Sequence, residues 1–338
     1  MNQTARVWCV ETGACVGQYS GHSGSVNSIR FSPSARAGEA LAVTAGGDRS
    51  AHVWRLPLPS LPSSARPSHG HPQTSEDELD SSMNAAGGQG LLMAPEEKEE
   101  APDENYTSVR TPFVELTGHV GVVIAVDWLC TGEQVITASW DRTANIYDAE
   151  RGEVVSVLSG HDAELNHASA HSSQRLVATS SKDFTFRLWD FREPIHSVAV
   201  FQGHAEAVTS AVFSSGDKVV SGSDDRSVKV WDLKNMRSPL ATIRLDSPIN
   251  RLSVSAKYNL VAIPHDNRQI RLYDLNGVRI ARLPRENRRG HRRMVCATAW
   301  ADDHHLANLF TCSFDKMIFA WKYSTVGSGL GQASNKAE

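Results

Sequence analysis

The residues of this chain that could do acid–base or metal chemistry are chiefly its histidines, of which there are 14. His167 and His171 have a spacing that would suit one metal ion on a helix, but the residues around them are predicted as strand and turn. The histidines at 304–305 and 69–71 have no partner nearby in sequence. The chain contains neither a phosphate-binding GxxxxGK loop nor an HExxH motif. We therefore expect a protein that is not an enzyme and that has no cofactor or metal.

The composition excludes further classes of protein. With 338 residues, 40% of them hydrophobic, the chain can bury a sizeable core, and a formal net charge of −4 gives no overall attraction to nucleic acid or anionic membranes. Its five cysteines are an odd number without a CxxC pair, which argues against disulfides or a zinc site and fits a reducing compartment. The sequence shows no signal region and no apolar run near the ~18 residues of a membrane span.

A short phrase that ends in an aromatic residue recurs along the chain. Its copies are TARVW (4–8), SAHVW (50–54), TANIY (143–147), TFRLW (185–189), SVKVW (227–231), QIRLY (269–273) and IFAWK (318–322). The period is about 40–45 residues, the length of a propeller blade, apart from one interval that is about fifty residues longer. Between the copies, short β-rich runs alternate with turn clusters, and no long helical pattern occurs. The repeat predicts an all-β propeller.

Polar residues keep step with these aromatics. Gly-His pairs precede most copies, a Ser or Thr lies ten residues before the aromatic, and an Asp lies six before it. Strings such as GSDDRSVKVWD and SSKDFTFRLWD, each following a Gly-His, resemble the WD-repeat β-propellers. The resemblance implies a seven-bladed WD-type β-propeller in which four residues of a repeat form a structural hydrogen-bonded chain, because such groups are costly to bury alone. The sets are His22-Thr44-Asp48-Trp54, His119-Thr137-Asp141-Tyr147, His161-Thr179-Asp183-Trp189, His204-Ser221-Asp225-Trp231 and His291-Thr311-Asp315-Trp321.

One repeat departs from this pattern. Before Tyr273, the network positions hold Ile263 and Asn267, and the segment LDS stands where Gly-His should be. We expect that blade to be held by packing alone.

The ends of the repeat pattern predict how the chain is divided. It opens inside a third strand, with residues 14–19 as the fourth, which predicts a first blade truncated at the N-terminus. Residues 1–56 then hold this partial first blade and the second blade, and residues 111–323 hold the remaining blades. We expect residues 324–338 to form a disordered tail.

Residues 57–110 form an insert within the second blade. It holds ten acidic residues against three basic ones, a net charge of −7, and is rich in Pro, Ser and Gly with few aromatics. This composition predicts disorder. The insert is either a solvated loop or a regulatory, partner-binding acidic cluster, and Ser75, which precedes Glu-Asp-Glu, is a candidate phosphorylation site.

An arginine-rich segment, RIARLPRENRRGHRRMV, precedes the last blade. It contains Arg279, Arg282, Arg285, Arg288, Arg289, Arg292 and Arg293. These arginines are either a solvated edge or an interface for carboxylates and phosphates, to which arginine binds in a bidentate manner. The RRG within it is also similar to phosphoinositide-binding propellers, although its Gly290 already belongs to the repeat. No aromatic interleaving supports nucleic-acid binding.

Two further resemblances bear on function. Longer strings such as ITASWDRTANIYD and IPHDNRQIRLYDLNGVRIARLP resemble one branch of the family beyond the generic repeat. That resemblance implies a non-catalytic scaffold of the cytoplasm and nucleus that mediates protein–protein interactions. It also implies phosphofurin acidic cluster sorting proteins as partners and a link to endoplasmic-reticulum calcium handling. The alternative is a cullin-4 ubiquitin-ligase substrate receptor, because WDFR at 189–192 is similar to the docking motif of such receptors.

Overall fold

The computed structural model of the chain describes residues 3–34, 38–58, 106–191, 197–214, 216–284 and 290–324. These residues form strands and turns without a helix, so none of them forms a helix that could cross a membrane. The strands are β1 (Ala5–Trp8), β2 (Cys15–Tyr19), β3 (Val26–Phe31), β4 (Glu39–Gly46), β5 (Ala51–Pro57), β6 (Thr107–Val109), β7 (Val114–Leu116), β8 (Val123–Trp128), β9 (Gln134–Ser139), β10 (Thr143–Asp148), β11 (Val154–Ser159), β12 (Leu165–Ala170), β13 (Leu176–Ser181), β14 (Phe186–Asp190), β15 (Ser197–Phe201), β16 (Val208–Phe213), β17 (Lys218–Ser223), β18 (Ser227–Asp232), β19 (Ala241–Arg244), β20 (Ser253–Ser255), β21 (Leu260–Pro264), β22 (Ile270–Asp274), β23 (Arg279–Arg282), β24 (Val295–Trp300), β25 (Leu309–Ser313) and β26 (Ile318–Trp321).

The strands form seven sheets, which are the blades of a seven-bladed β-propeller. Blade 1 consists of β1, β2 and β6, and blade 2 of β3, β4, β5 and β7. Blades 3 to 6 are four consecutive antiparallel sheets of four strands each, from β8 to β23, and blade 7 consists of β24, β25 and β26. The predicted all-β, seven-bladed architecture is confirmed.

The hydrophobic core lies between neighbouring blades. Ile136 and Ile146 of blade 3, for example, share one buried cluster with Leu165, Val177 and Trp189 of blade 4. Each of these side chains is at most 2% exposed. Because both faces of an internal blade are covered in this way, its middle strands are buried on both sides, as in β13, where all six residues are buried.

The turn between the second and third strands of a blade requires an unusual backbone conformation. The residue that follows the network Asp, or Asn267 in blade 6, has φ between 63° and 72° in six blades, at Arg49, Arg142, Phe184, Arg226, Arg268 and Lys316. A residue with a side chain pays a conformational cost there. The preceding carboxylate offsets that cost by closing the turn, since Asp141 and Asp183 each accept the N–H two residues later at 3.0 Å. This contact explains why an Asp recurs six residues before the closing aromatic.

Asparagine side chains tie blades together across their first strands. Asn27, Asn166 and Asn250 each donate an amide N–H to a backbone carbonyl of the next blade, at 2.7–2.9 Å. The first two lie five residues after the network histidine of their own repeat. That spacing is a signal that our reading of the sequence missed.

Strand β6 corrects the predicted extent of the insert. The composition predicts disorder over residues 57–110, but Pro57 ends β5, and Thr107–Val109 pairs in parallel with β2 of blade 1. The amide of Ser20 also donates to the Val109 carbonyl at 3.0 Å. The pairing satisfies backbone groups along the outer edge of β2, which an unstructured segment would leave to solvent. Residues 59–105 and 325–338 lie outside the described residues.

Candidate functional site

The four-residue set of blade 4 forms a continuous hydrogen-bonded chain. The indole Nε1–H of Trp189 donates to Thr179 Oγ1 at 2.7 Å, and Thr179 lies 2.9 Å from Nε2 of His161. Nδ1 of His161 lies 2.7 Å from a carboxylate oxygen of Asp183. Because a carboxylate only accepts, Nδ1 carries the proton and Nε2 accepts from the threonine hydroxyl. Both imidazole nitrogens are therefore engaged.

Blades 5 and 7 repeat this arrangement. The indoles of Trp231 and Trp321 donate to Ser221 and Thr311 at 2.9 and 3.0 Å. The histidine–hydroxyl distances are 2.8 and 2.9 Å, and the histidine–carboxylate distances are 2.8 and 3.0 Å. The residues brought together are His204, Ser221, Asp225 and Trp231 in one blade and His291, Thr311, Asp315 and Trp321 in the other.

Blade 3 keeps the histidine contacts with a tyrosine in place of the tryptophan. His119 lies 2.7 Å from both Thr137 and Asp141. The Tyr147 hydroxyl accepts the side-chain amide of Asn145 at 3.1 Å. Asparagine at this position therefore supplies a polar partner for the tyrosine that replaces the usual tryptophan.

Blade 2 departs from the predicted set at its tryptophan. His22 contacts Thr44 at 2.9 Å and Asp48 at 2.9 Å, but the buried indole nitrogen of Trp54 has no hydrogen-bond partner among the residues that the structure describes. Tyr19 of blade 1 instead stacks on the Trp54 ring, with centroids 4.8 Å apart and an interplanar angle of 5°. Inter-blade stacking thus replaces the hydrogen bond that the resemblance implies for Trp54.

We expect Trp54→Phe to destabilise the protein less than Trp189→Phe. Phenylalanine keeps the stacking surface at Trp54, where no hydrogen bond is lost, whereas at Trp189 it removes a buried 2.7 Å bond to Thr179. The difference should be about 1–2 kcal/mol in the free energy of unfolding. Denaturant melts of the two variants measure it. A cost for Trp54→Phe that equals or exceeds that of Trp189→Phe would contradict this account of blade 2.

A second histidine, His52, extends the polar cluster of blade 2. Its ring stacks on that of His22 with centroids 3.9 Å apart. Its Nδ1 lies 2.7 Å from the Tyr19 hydroxyl, and its Nε2 lies 3.0 Å from Ser50 Oγ. His22, Asp48 and His52 have potential metal-ligand atoms within 4.8 Å of one another. All four imidazole nitrogens are hydrogen-bonded to protein groups, so the arrangement is that of a hydrogen-bonded cluster.

The carboxylates of these sets are held in the ionised form. Burial raises the pKa of Asp48, but hydrogen bonds from its histidine and from the Ser50 hydroxyl outweigh burial and bring the pKa to about 2. The same balance lowers the pKa of Asp141, Asp183, Asp225 and Asp315. An ionised carboxylate at each site keeps the imidazole tautomer fixed.

Blade 6, expected to be held by packing alone, has polar ties of its own. Ile263 stands at the Ser/Thr position of the network, and Leu245 opens the LDS segment that stands in place of Gly-His. The two residues lie in one apolar cluster. Replacing both partners of a buried hydrogen bond by apolar groups costs little stability. His265 is fully buried and lies 3.2 Å from Ser247 Oγ. The Arg271 guanidinium pairs with the Asp246 carboxylate at 2.7 Å. The expectation was wrong because it considered only the family's network positions.

The structure separates the described members of the arginine-rich segment. Arg279 and Arg282 are the two exposed ends of β23, and their odd spacing in a strand directs them to opposite faces. Arg292 and Arg293 lie in the loop before β24, where the Arg292 amide donates to Asp315 at 2.9 Å. Arg285, Arg288 and Arg289 lie outside the described residues. An interface built on the whole segment stays a prediction.

Other predicted sites fall partly or wholly outside the described chain. Ser75 and Arg192 are not among the described residues. Of the WDFR segment, Trp189 is buried and hydrogen-bonded as above, and Phe191 is half-buried. The part of the motif that the structure describes is therefore engaged within blade 4.

The end of blades 3 and 4 that carries the Asp turns exposes apolar side chains. Val120, Trp140 and Phe184 are 80%, 44% and 50% exposed. The Lys182 ammonium lies over the Trp140 ring, 5.4 Å from its centroid. The Asp141 carboxylate accepts the Val120 amide at 3.0 Å and so fixes one loop of this surface to the other. We name these four residues, Val120, Trp140, Lys182 and Phe184, the Trp140 patch. The patch has a sequence signal that was not recognised above, an aromatic residue next to a network Asp.

Known proteins share this repeat. The family model described as "WD domain, G-beta repeat" matches residues 13–55, 110–148, 152–190, 195–232 and 283–322. The chain is 56% identical over 324 residues to WD repeat-containing protein 37 of Mus musculus and 55% identical over 325 residues to that of Homo sapiens. Each match covers 95% of this chain and 62% of the relative. A guanine nucleotide-binding protein subunit beta of Zea mays is 34% identical over 105 residues, covering 29% of this chain and 28% of that protein.

The chain thus spans about three-fifths of the length of the curated relatives that it matches over most of its own length. Each matched family segment ends one residue after the aromatic that closes a blade, and blade 6, which lacks the histidine network, lies outside the matches. The family's repeat and the observed blades are therefore in register, and this chain belongs to the WD-repeat family of β-propellers.

Proposed function

We propose that this protein is a non-catalytic scaffold that binds a protein partner through the Trp140 patch. The observation that carries the proposal is the exposure of three large apolar side chains, Val120, Trp140 and Phe184, on adjacent loops of blades 3 and 4. Contiguous exposed apolar surface marks interaction sites, and tryptophan is among the residues that contribute most to binding. The Lys182 ammonium adds positive charge, so an apolar partner segment flanked by acidic residues fits the patch.

The residues that could do acid–base chemistry support a non-catalytic role. His161 and His204 have both ring nitrogens hydrogen-bonded within their own blade. The adjoining hydroxyls are engaged by indole N–H groups. A general base needs a nitrogen within reach of substrate, which these contacts do not leave.

The partner in this proposal is a phosphofurin acidic cluster sorting protein. Support comes from the 55–56% identity to WD repeat-containing protein 37 over 95% of this chain, together with the resemblance described in the sequence analysis. The same resemblance supports a location in cytoplasm and nucleus and a link to endoplasmic-reticulum calcium handling. The cullin-4 receptor and phosphoinositide-binding alternatives gain no support from the described residues.

Calorimetry with a purified sorting protein tests this proposal. Trp140→Ala should weaken the Kd at least tenfold, because it removes the aromatic centre of the patch. Trp8→Ala is the matched control, since Trp8 is also 44% exposed but lies in blade 1. Loss of binding in both variants, or in neither, would overturn the assignment of the surface. Absence of binding by the unmodified protein would overturn the partner.

A further inference from the structure

The first strands of the blades surround the axis of the propeller. β3, β8, β12, β16, β20 and β24 contact one another in that order, each with the next blade's first strand. Groups that reach from one of these strands to a non-neighbouring one therefore cross the axis.

Arg251 makes such a crossing. Its amide, just before β20 of blade 6, donates to the Cys296 carbonyl of blade 7 at 3.3 Å. Its guanidinium reaches blades 2 and 3, where Nη1 donates to the Asn27 carbonyl at 3.0 Å and Nη2 to the Ile124 carbonyl at 2.6 Å. These bonds place a guanidinium group between blades on opposite sides of the axis.

The charge of Arg251 is not balanced by the residues around it. No carboxylate of the described residues lies within 4.0 Å of its guanidinium. Burial, followed by the nearby Arg30, lowers the pKa of Arg251 to about 10, so the group is still charged at neutral pH. Arg30 in turn pairs with Asp127 at 3.6 Å. Two guanidinium groups therefore face one carboxylate.

The other titratable groups nearby do not supply a second negative charge. His167 is buried, and burial, Arg251 and Arg30 lower its pKa well below its ordinary value, which keeps it neutral. Burial raises the pKa of the Cys296 thiol to about 11 and also raises that of Cys312. Asp127 is already engaged, since it accepts backbone amides at 2.9 and 3.0 Å in addition to Arg30.

Arg251 is half-buried, and a partly desolvated cation without a counter-charge among the described residues is stabilised when an anion joins it. A guanidinium has five N–H donors, and within the described chain Arg251 uses two of them, both on neutral carbonyls. Oxyanions are the ligands that its remaining fork of donors matches. We propose that Arg251, assisted by Arg30, forms a binding site for a small oxyanion, of the phosphate or carboxylate class, on the axis of the propeller.

This site is independent of the Trp140 patch, so it can be tested without any protein partner. We would titrate the protein with inorganic phosphate at constant ionic strength, using calorimetry for the Kd and thermal unfolding as a second readout. Binding should be saturable and should raise Tm, because a ligand of the folded state stabilises it. Sodium acetate in a parallel titration distinguishes the carboxylate from the phosphate. Saturable binding of either supports the site, and binding of neither overturns it.

Variants locate the binding. Arg251→Gln should weaken the Kd for the bound anion at least tenfold, whereas Arg244→Gln, on the exposed end of β19, should leave it unchanged. Arg251→Gln also removes two inter-blade hydrogen bonds, so a second, milder variant is needed. Arg30→Gln serves this purpose, because the Arg30 side chain is 44% exposed. We expect Arg30→Gln to weaken the Kd severalfold. If both axis variants bind phosphate and acetate as tightly as the Arg244→Gln control, Arg251 is only a structural tie.

Discussion

Asp183→Ala is expected to lower the free energy of unfolding by roughly 3–5 kcal/mol, because several hydrogen-bond donors lose one ionised acceptor and a buried donor left unpaired costs about 1–3 kcal/mol. The Asp183 carboxylate is 8% exposed and lies 2.7 Å from Nδ1 of His161. It also accepts the amide of Asp162 at 3.2 Å and both the amide and hydroxyl of Thr185 at 3.0 and 2.7 Å. Alanine would leave these donors without an acceptor and would release the strained turn at Phe184, whose φ is 68°.

The matched control is Asp162→Ala. Asp162 is exposed and contributes its backbone amide to the same carboxylate, which alanine retains. This substitution should cost less than about 1 kcal/mol, as is usual for exposed positions. Guanidinium melts of the two variants, with unchanged m-values, measure the difference. Equal costs would show that the carboxylate is not the centre of the blade 4 set.

The sequence was sufficient to predict the blades because the same set of hydrogen bonds recurs within one repeat after another. The Asp closes a left-handed turn and orients a histidine, the hydroxyl receives the indole, and all of these contacts fall within one repeat. His161, Thr179 and Asp183 could therefore be placed together from spacing and family resemblance alone.

Apart from the asparagines that follow the network histidines, the contacts between repeats carry no such signal. The pairing of Thr107–Val109 with β2 joins residues about ninety positions apart, and three residues cannot show a strand period. The stacking of Tyr19 on Trp54 depends on two blades meeting, and the crossing of Arg251 to Asn27 depends on closure of the whole ring. These contacts determine how Trp54 is held and which groups meet at the axis. They can be identified only once the whole propeller is assembled.

Blade 6 shows a second reason for failure. Ile263 and Asn267 read as a defective repeat because they were compared with the family network. Other positions of the blade supply its polar contacts, through Ser247–His265 and Asp246–Arg271. A missing motif therefore indicates a different set of contacts, and does not by itself indicate a weaker blade.

Acidification should destabilise the protein from about pH 6.5 downwards, well before its carboxylates are protonated. Burial, and secondly the electrostatic interaction with His22, lowers the pKa of His52 to about 4. Burial, and secondly the positive charge of Arg271, lowers the pKa of His265 to about 4. In the unfolded chain both would bind a proton near pH 6.5. Between pH 6.5 and about 4 the unfolded state therefore holds more protons, and stability falls as pH falls. Each histidine contributes about 1.4 kcal/mol per pH unit, so the pair costs about 4 kcal/mol at pH 5.

The carboxylates add a second loss at lower pH. Their folded pKa values lie below the ordinary 3.8, so their stabilisation is present above pH 3.8 and disappears as pH falls through the folded values. Two carboxylates act in the opposite sense, because burial raises the pKa of Asp127 and Asp224. The effect of these two lies above pH 3.8, because their folded pKa values are higher than 3.8, so below that pH the five lowered carboxylates cause further destabilisation.

His265→Ser separates the histidine contribution from general acid sensitivity. Serine occupies the corresponding position of other blades, for example Ser181, Ser223 and Ser313, each two residues before the network Asp. Whatever its effect on stability at pH 7, the variant should reduce the pH dependence of unfolding between pH 6.5 and 5 by nearly one proton, because a buried neutral histidine has been removed. His305→Ser, at an exposed position, should leave that dependence as it is in the unmodified protein. Denaturant melts at half-unit pH intervals give the proton count for all three proteins, and identical slopes for His265→Ser and His305→Ser would mean that His265 is not held neutral in the folded propeller.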